Sequence, residues 1–184
     1  MIGKFVKGRA YVFIDAANLE NSVKDLKWWV DYKKLFEYFR NETNLIGVRH
    51  YCPRFSDGDQ EKFFTVLKRI GIKLVTKPLK IITEADRFKS DIRKANFDVE
   101  ITLDALILVD SYDTLVLFSG DSDFDSLVKH LRSKGKRVLI VSSKYHVSRE
   151  LIASSNKYID LRKLRRHIER GDKNLKGPSF TTGS

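Results

Sequence analysis

Long apolar runs and cysteine pairs are both missing from this chain of 184 residues. No apolar run exceeds five residues (10–14 and 105–109), whereas a membrane-spanning helix needs about 18 or more. A helical membrane-spanning protein is therefore excluded. Cys52 is the only cysteine, which excludes an internal disulfide and a zinc site built from several cysteines. We interpret Cys52 as a small buried side chain in a strand.

The first eight residues carry charge, but no long apolar stretch follows them as it would in a secretory signal. We therefore expect a cytoplasmic protein. The length fits a single domain, because domains commonly hold about 100 to 200 residues. We place that domain at residues 10–170, after an N-terminal extension at 1–9 and before a polar tail at 171–184 that we expect to be disordered. No heptad or repeat argues for a homodimer, which stays open.

Basic residues exceed acidic ones by 35 to 24, a formal net charge of +11. This excess of positive charge is concentrated in two segments of the chain. Residues 62–94 hold ten Lys and Arg against three acids, and residues 157–176 hold eight against three. The remaining chain is nearly neutral. Such basic segments favour a polyanionic partner, and nucleic acid is the one that we predict.

Short β-branched, apolar runs alternate with helical patterns, which is typical of βα units around a mostly parallel sheet. The predicted strands are 11–14, 48–52, 72–75, 115–118 and 138–141, and helices begin near 18, 32, 97, 124, 148 and 161. A further helix carries its apolar stripe over 63–70 and stops at Gly71. Residues 76–90 have no helical period, so we expect a basic loop or an extra hairpin there. The sequence predicts an α/β fold.

Acidic residues follow two of these strands. Asp15 ends the first, and Asp121, Asp123 and Asp125 follow the fourth. In open parallel sheets, ligands bind beyond the carboxyl ends of the strands, where the chain order reverses. Carboxylates held close together repel one another unless a cation or a proton intervenes. Clustered acids in a basic protein therefore suggest a site for a hard divalent cation and phosphodiester chemistry.

A structural interpretation of the same acids stays open. Any one of them could simply cap a helix, although capping does not account for all four together. Asp98 begins a later helix, where its charge would favour the helix dipole whether or not it binds a metal. Asp104 lies on another face of that helix from Asp98, so one ion cannot take both. We rank Asp104 below Asp98.

Three motifs together resemble the NYN domain, in particular its LabA-like branch, a relative of the PIN-domain nucleases. They are Phe-Ile-Asp-Ala-Ala-Asn at 13–18, Asn-Phe-Asp at 96–98 and Ser-Gly-Asp-Ser-Asp-Phe at 119–124. The resemblance covers about residues 10–160. It implies a three-layer α/β/α PIN-like fold with a mostly parallel sheet of strand order 3-2-1-4-5. One departure is Ala95, where many members have glycine.

The resemblance also implies an activity, that of a Mg²⁺- or Mn²⁺-dependent ribonuclease. Asp15, Asp98 and Asp121 match the acids that would hold the metal and catalyse, while Asn18, Ser119 and Asp123 match supporting positions. On this basis we expect catalytic roles for Asn18 and Asp123 and a substrate-binding role for Ser119. An endonuclease is favoured over an exonuclease. Membership of Asp125 in the site is open.

The basic segments would bind the substrate backbone, which gives affinity without sequence choice. The residues that we assign to this role are Lys77, Lys80, Arg87, Lys94, Arg162, Arg165 and Arg166. Trp28 and Trp29 could stack nucleic-acid bases, but we favour a packing role for the pair.

Other activities fit less well. Ser142, Ser143, His146 and Ser148 cluster after the fifth strand, but no Gly-x-Ser-x-Gly elbow surrounds any serine. Aspartyl-phosphate chemistry at Asp15 would need a second acid where Ala17 stands. The main alternative to a nuclease is a PIN-like module that binds RNA without cutting it.

Overall fold

A computed structural model describes residues 2–54, 58–78, 80–82, 92–94 and 96–171, with the backbone alone for 80–82 and 92–94. Six parallel strands form the central sheet in the order β3-β2-β1-β6-β7-β8. They are β1 Arg9–Asp15, β2 Asn44–Arg54, β3 Ile72–Pro78, β6 Thr114–Phe118, β7 Arg137–Ser142 and β8 Lys157–Asp160, and an antiparallel hairpin of β4 Lys80–Ile82 and β5 Ile92–Lys94 stands apart. The expected three-layer α/β architecture and strand order are confirmed, with one strand added.

Seven α-helices are described: α1 Ala16–Asp25, α2 Tyr32–Glu42, α3 Gly58–Arg69, α4 Asp98–Ile107, α5 Asp125–Ser133, α6 Arg149–Ser154 and α7 Arg165–Ile168. Short 3₁₀ turns lie at Gly3–Phe5, Val109–Ser111, Ser122–Phe124 and Leu161–Lys163. Within these described residues, no helix is long and apolar enough to cross a membrane.

Alternation of side chains along the strands builds two apolar layers, because successive residues of a strand point to opposite faces. On β1, Val12 and Ile14 enter a core shared with α1, α2, α3 and α7. Phe13 enters the opposite core, with α4, α5 and α6. Trp28 is buried in the first core, which supports the packing role over base stacking. Ile2 joins the same core, so the N-terminal residues pack on the domain.

The sixth strand and the last helix differ from prediction. β8 has only four residues, with charged residues at both ends, so its apolar signal is too short to recognise. The helix expected from Leu161 is a 3₁₀ turn followed by the four-residue α7. Buried Leu161, Leu164 and Ile168 have helical spacing, but the helix stops because Glu169 forms a β-bridge with Val30.

Strand order reverses between β1 and β6, which lie side by side with Ile14 opposite Phe118. Helices α1 to α3 cover one face of the sheet and α4 to α6 cover the other. The carboxyl ends of β1 and β6 therefore open a crevice between the two helical layers, at the position where such folds bind ligands.

Helix α4 is fastened to the sheet by polar contacts on β2. Arg49 forms an ion pair with Asp104, and the Tyr51 hydroxyl donates to the same carboxylate oxygen at 2.9 Å. The Tyr112 hydroxyl donates to the Ala105 carbonyl at 2.7 Å. Asp104 is thus used for holding α4 in place, which fixes where its first residue, Asp98, lies.

We predict that Asp104→Ala lowers the free energy of unfolding by about 3 kcal/mol, because it leaves the largely buried Arg49 guanidinium without its carboxylate. Urea unfolding measures the loss. Asp59→Ala removes an ion pair with Lys62 in which both side chains are more than four-fifths exposed, and it should cost less than about 1 kcal/mol. Equal losses in the two variants would contradict a fastening role for Asp104.

Candidate metal centre

Asp15 ends β1 and also caps helix α1. Its Oδ1 accepts the Asn18 backbone N–H at 3.2 Å, which satisfies one of the free donors of the first helical turn. Its Oδ2 accepts the Ser119 hydroxyl at 3.3 Å. This cap explains why α1 begins at Ala16 rather than near Asn18. The carboxylate is partly buried and held on both oxygens.

The turn after β6 places the second acid. Ser119 is fully buried, and its Oγ accepts the Asp121 N–H at 3.3 Å while donating to Asp15. Asp121 Oδ1 accepts the Asp123 N–H at 3.1 Å, so Asp121 caps the turn that leads into α5. One hydroxyl therefore connects the chain segments that carry the two acids.

Gly120 is required by close packing of the backbone. Its N–H donates to Asn18 Oδ1 at 3.0 Å, and its carbonyl accepts the Ser148 N–H at 2.9 Å. A Cβ at this position would overlap the carbonyl oxygen of His146. The Ser-Gly-Asp turn is thus clamped between α1 and the loop that follows β7.

Asp98 reaches the crevice from the other helical layer. It is the first residue of α4, and its N–H donates to Asn96 Oδ1 at 2.9 Å. The sequence did not lead us to assign Asn96 to the site. An asparagine two positions before an acid at a helix start was the pattern that could have indicated it. Ala95, the departure from the family pattern, lies outside the described residues.

Asp98, Asp121 and Asp123 each present a carboxylate oxygen within 4.8 Å of the other two. Three carboxylates are the donor type that Mg²⁺ and Mn²⁺ take. The group therefore fits a hard divalent cation.

Asp15 is not in this group of three, yet it is coupled to it electrostatically. Burial raises the pKa of Asp15, the charges of Asp98 and Asp121 add to the rise, and the hydrogen bonds from Asn18 and Ser119 oppose it; the resulting pKa is about 6. Burial likewise raises the pKa of Asp98, with Asp121 and Asp123 adding to the rise. Holding the four carboxylates this close together therefore costs electrostatic free energy.

The two acids left open by the sequence are engaged elsewhere. Asp104 pairs with Arg49 on the sheet, and Asp125 pairs with Lys129 one turn along α5 at 2.6 Å. The serines after β7 act in turns and caps: Ser148 Oγ accepts the Leu151 N–H at 3.1 Å, capping α6. His146 pairs with Asp25 at 2.7 Å.

The basic residues assigned to substrate binding are spread over the molecule. Lys77 Nζ bonds both oxygens of Glu100 at 2.8 and 2.9 Å and lies near Asp98, whose pKa it lowers. Lys80 and Lys94 lie on the hairpin, where their side chains are outside the described residues, as is Arg87 entirely. Arg162, Arg165 and Arg166 follow β8, and their nearest described partners are Asp160, Glu169 and His167.

Residues 9–164 match the profile of the NYN domain. The chain belongs to the NYN domain family. This membership suggests a nuclease-like, RNA-related role for the domain.

Two known proteins are similar to this NYN domain over most of its length. Low amplitude and bright protein LabA of Synechococcus elongatus is 32% identical over 171 residues, which cover 92% of each chain. The crystal structure of a protein of unknown function from Vibrio parahaemolyticus superposes with a TM-score of 0.70 at 22% identity, over 84% of this chain and 93% of the other. The second match shows the fold alone.

We expect Gly120→Ala to destabilise the NYN domain by about 3 kcal/mol, because the added methyl group cannot fit against the His146 carbonyl without moving the turn. Thermal unfolding at neutral pH checks this. Gly58→Ala is the matched control, since a Cβ there meets nothing within 4 Å, and alanine in a helix should stabilise slightly. A Gly120→Ala protein as stable as the wild type would contradict the clamp.

Asp15→Asn should stabilise the metal-free protein above pH 6. The folded-state pKa of Asp15 lies near 6 and its unfolded value near 3.8, so its ionisation lowers stability as pH rises from about 4 to about 6. Asparagine keeps the helix cap without the charge. With partial exposure discounted, we expect a gain of about 1 to 2 kcal/mol at pH 8.

At pH 4 that gain should disappear, because wild-type Asp15 is then protonated. Urea unfolding in EDTA at both pH values measures the difference. A stabilisation of equal size at pH 4 and pH 8 would refute the electrostatic origin.

Proposed function

We propose that this NYN domain is a divalent-metal-dependent ribonuclease that hydrolyses phosphodiester bonds at the crevice between β1 and β6. The observation that carries the proposal is the meeting of Asp98, Asp121 and Asp123 within 4.8 Å of one another, beside Asp15, in a member of this family. Uncompensated carboxylates would repel a nucleic-acid phosphate, so a site built only to bind RNA has no use for them.

Asp98, Asp121 and Asp123 would hold the cation, and Asp15 borders them. When bound, Mg²⁺ or Mn²⁺ neutralises charge on the phosphate and lowers the pKa of a coordinated water. All-oxygen donors of this kind favour these two cations over softer ones.

Asp15 supplies the proton acceptor. With a pKa near 6, it is largely ionised at neutral pH and close to the range in which a general base works best. In the step that we propose, a water oxygen attacks phosphorus and its proton passes to Asp15 Oδ2. The bond from phosphorus to the 3′-oxygen breaks, and the departing 3′-oxygen takes a proton from solvent. The product strand then carries a 5′-phosphate.

Asn18 and Ser119 position the reacting groups. The Asn18 carbonyl oxygen is occupied by the Gly120 N–H, which leaves the side-chain NH₂ to donate to the attacking water or to a phosphate oxygen. Ser119 holds Asp15 and the Asp121 backbone at a fixed spacing. We favour internal cleavage, because the crevice lies between two helical layers and a strand can pass through it.

The test compares two acids that follow β6, Asp121 and Asp125. Asp121→Asn removes a charge from the group of three, while Asp125→Asn removes the same charge from a residue paired with Lys129. With labelled single-stranded RNA and Mn²⁺, we expect cleavage by the wild type and by Asp125→Asn, and a loss of at least about 100-fold in Asp121→Asn. EDTA should abolish all cleavage.

Thermal unfolding with and without Mn²⁺ gives a second readout, since a ligand that binds only the folded state raises the melting temperature. The wild type should be stabilised and Asp121→Asn should not. Equal cleavage by Asp121→Asn and wild type would overturn the assignment. Absence of both cleavage and Mn²⁺ stabilisation would favour a domain that binds RNA without cutting it.

A further inference from the structure

The loop between β7 and α6 borders the candidate metal centre. Residues 143–148 follow the carboxyl end of β7, the strand next to β6. The loop touches the turn that carries Asp121, because Ser148 N–H donates to the Gly120 carbonyl at 2.9 Å and the His146 carbonyl packs against Gly120. Any group displayed by this loop lies beside the crevice.

Contacts on both sides hold this loop in one conformation. His146 Nε2 pairs with Asp25 on α1 at 2.7 Å, and the His146 N–H donates to the Ser143 carbonyl at 3.1 Å. At the base, the Tyr158 hydroxyl donates to the Ser142 carbonyl at 3.1 Å. Because these contacts fix its base and both its sides, the loop presents its tip in a defined position.

Tyr145 stands at that tip with its ring exposed. The residue is 65% exposed. Every other Phe, Trp and Tyr in the part of the chain that the structure describes is buried or half-buried. Trp28, by contrast, is buried. Lys144 Nζ lies 4.7 Å from the centroid of the Tyr145 ring. An aromatic face and a cation are thus displayed together.

A basic groove, called the Arg162 groove below, lies on the β8 side of this loop. It has a volume of about 520 Å³ and follows β8, the neighbour of β7, with a lining of Arg162, Lys163, Arg165, Arg166 and Glu169. Asp160 and Glu169 pair with Arg162 and Arg165, so positive charge remains in excess. Arg162 is close enough to the Tyr145 hydroxyl for the two to interact electrostatically.

We propose that Tyr145 is a base-stacking platform for single-stranded RNA, with Lys144 and the Arg162 groove binding the phosphates on either side of the stacked nucleotide. The inference rests on the proposed function, because it supplies the strand that the acidic centre would cut. Stacking on a ring face tolerates any base but needs one that is unpaired. The site therefore selects single strands without selecting sequence.

Binding measured in EDTA tests this platform without cleavage. The probe is a fluorescein-labelled oligouridylate, followed by anisotropy at low salt, with a labelled RNA duplex of equal length as the comparison. Tyr145→Ala should raise the dissociation constant for the single strand about fivefold or more, because the base loses the aromatic ring on which it stacks. The duplex constant should change less than about twofold.

Matched variants separate the contribution of the Tyr145 ring to binding from that of the neighbouring positive charge. Tyr145→Phe keeps the ring and should bind as the wild type does. Lys144→Ala should weaken binding and flatten its salt dependence. The control Lys134→Ala should not, because this exposed lysine precedes the amino end of β7, whereas the Tyr145 loop follows its carboxyl end. Unchanged melting temperatures exclude unfolding as the cause.

Two results would overturn the proposal: single-strand affinity unchanged in Tyr145→Ala, or equal weakening for single strand and duplex. Failure of the nuclease assignment gives a different pattern, in which Tyr145-dependent binding persists in EDTA but no cleavage follows when Mn²⁺ is added.

Discussion

Repulsion among four carboxylates is the constraint on which this site depends. Asp15, Asp98, Asp121 and Asp123 come from three chain segments, and the charges of their neighbours add to the rise that burial causes in the pKa of Asp15 and Asp98. A fold selected only for stability would not hold them so close. In the function that we propose, a divalent cation would remove the repulsion and allow a phosphate to approach.

Rigid local structure is what keeps these acids together. Asp15 and Asp121 each use an oxygen to cap the following helix or turn, and Ser119 contacts both segments. Such caps cost no extra side chains, since one carboxylate serves a backbone N–H and keeps a second oxygen for other partners. From the other layer, the Arg49 and Asp104 pair holds α4 against the sheet.

The acidic residues of the candidate metal centre and the basic residues of the groove occupy separate regions of the domain. The central acids lie where β1 meets β6, whereas the Arg162 groove lies beyond β8 at the edge of the sheet. Lys77 lies closer to the acids, but its ammonium group donates to both carboxylate oxygens of Glu100. In the function that we propose, the basic groove would attract a polyanion without neutralising the carboxylates that would bind a metal. The loop that carries Tyr145 connects the two regions.

From its own pattern, the sequence determined the α/β class, the five longer strands and the acids at their ends, because buried strands need apolar runs and caps need short polar side chains next to them. It did not reveal β8, whose four residues are too few to show a period. Only the tertiary structure decided which acids share a site. Helix periodicity already placed Asp98 and Asp104 on different faces of α4, but only the packing of α4 on the sheet directed Asp98 to the crevice and Asp104 to Arg49. It likewise distinguished Trp28, which packing buries, from Tyr145, which the tied loop leaves exposed, because exposure depends on neighbours that are distant in sequence.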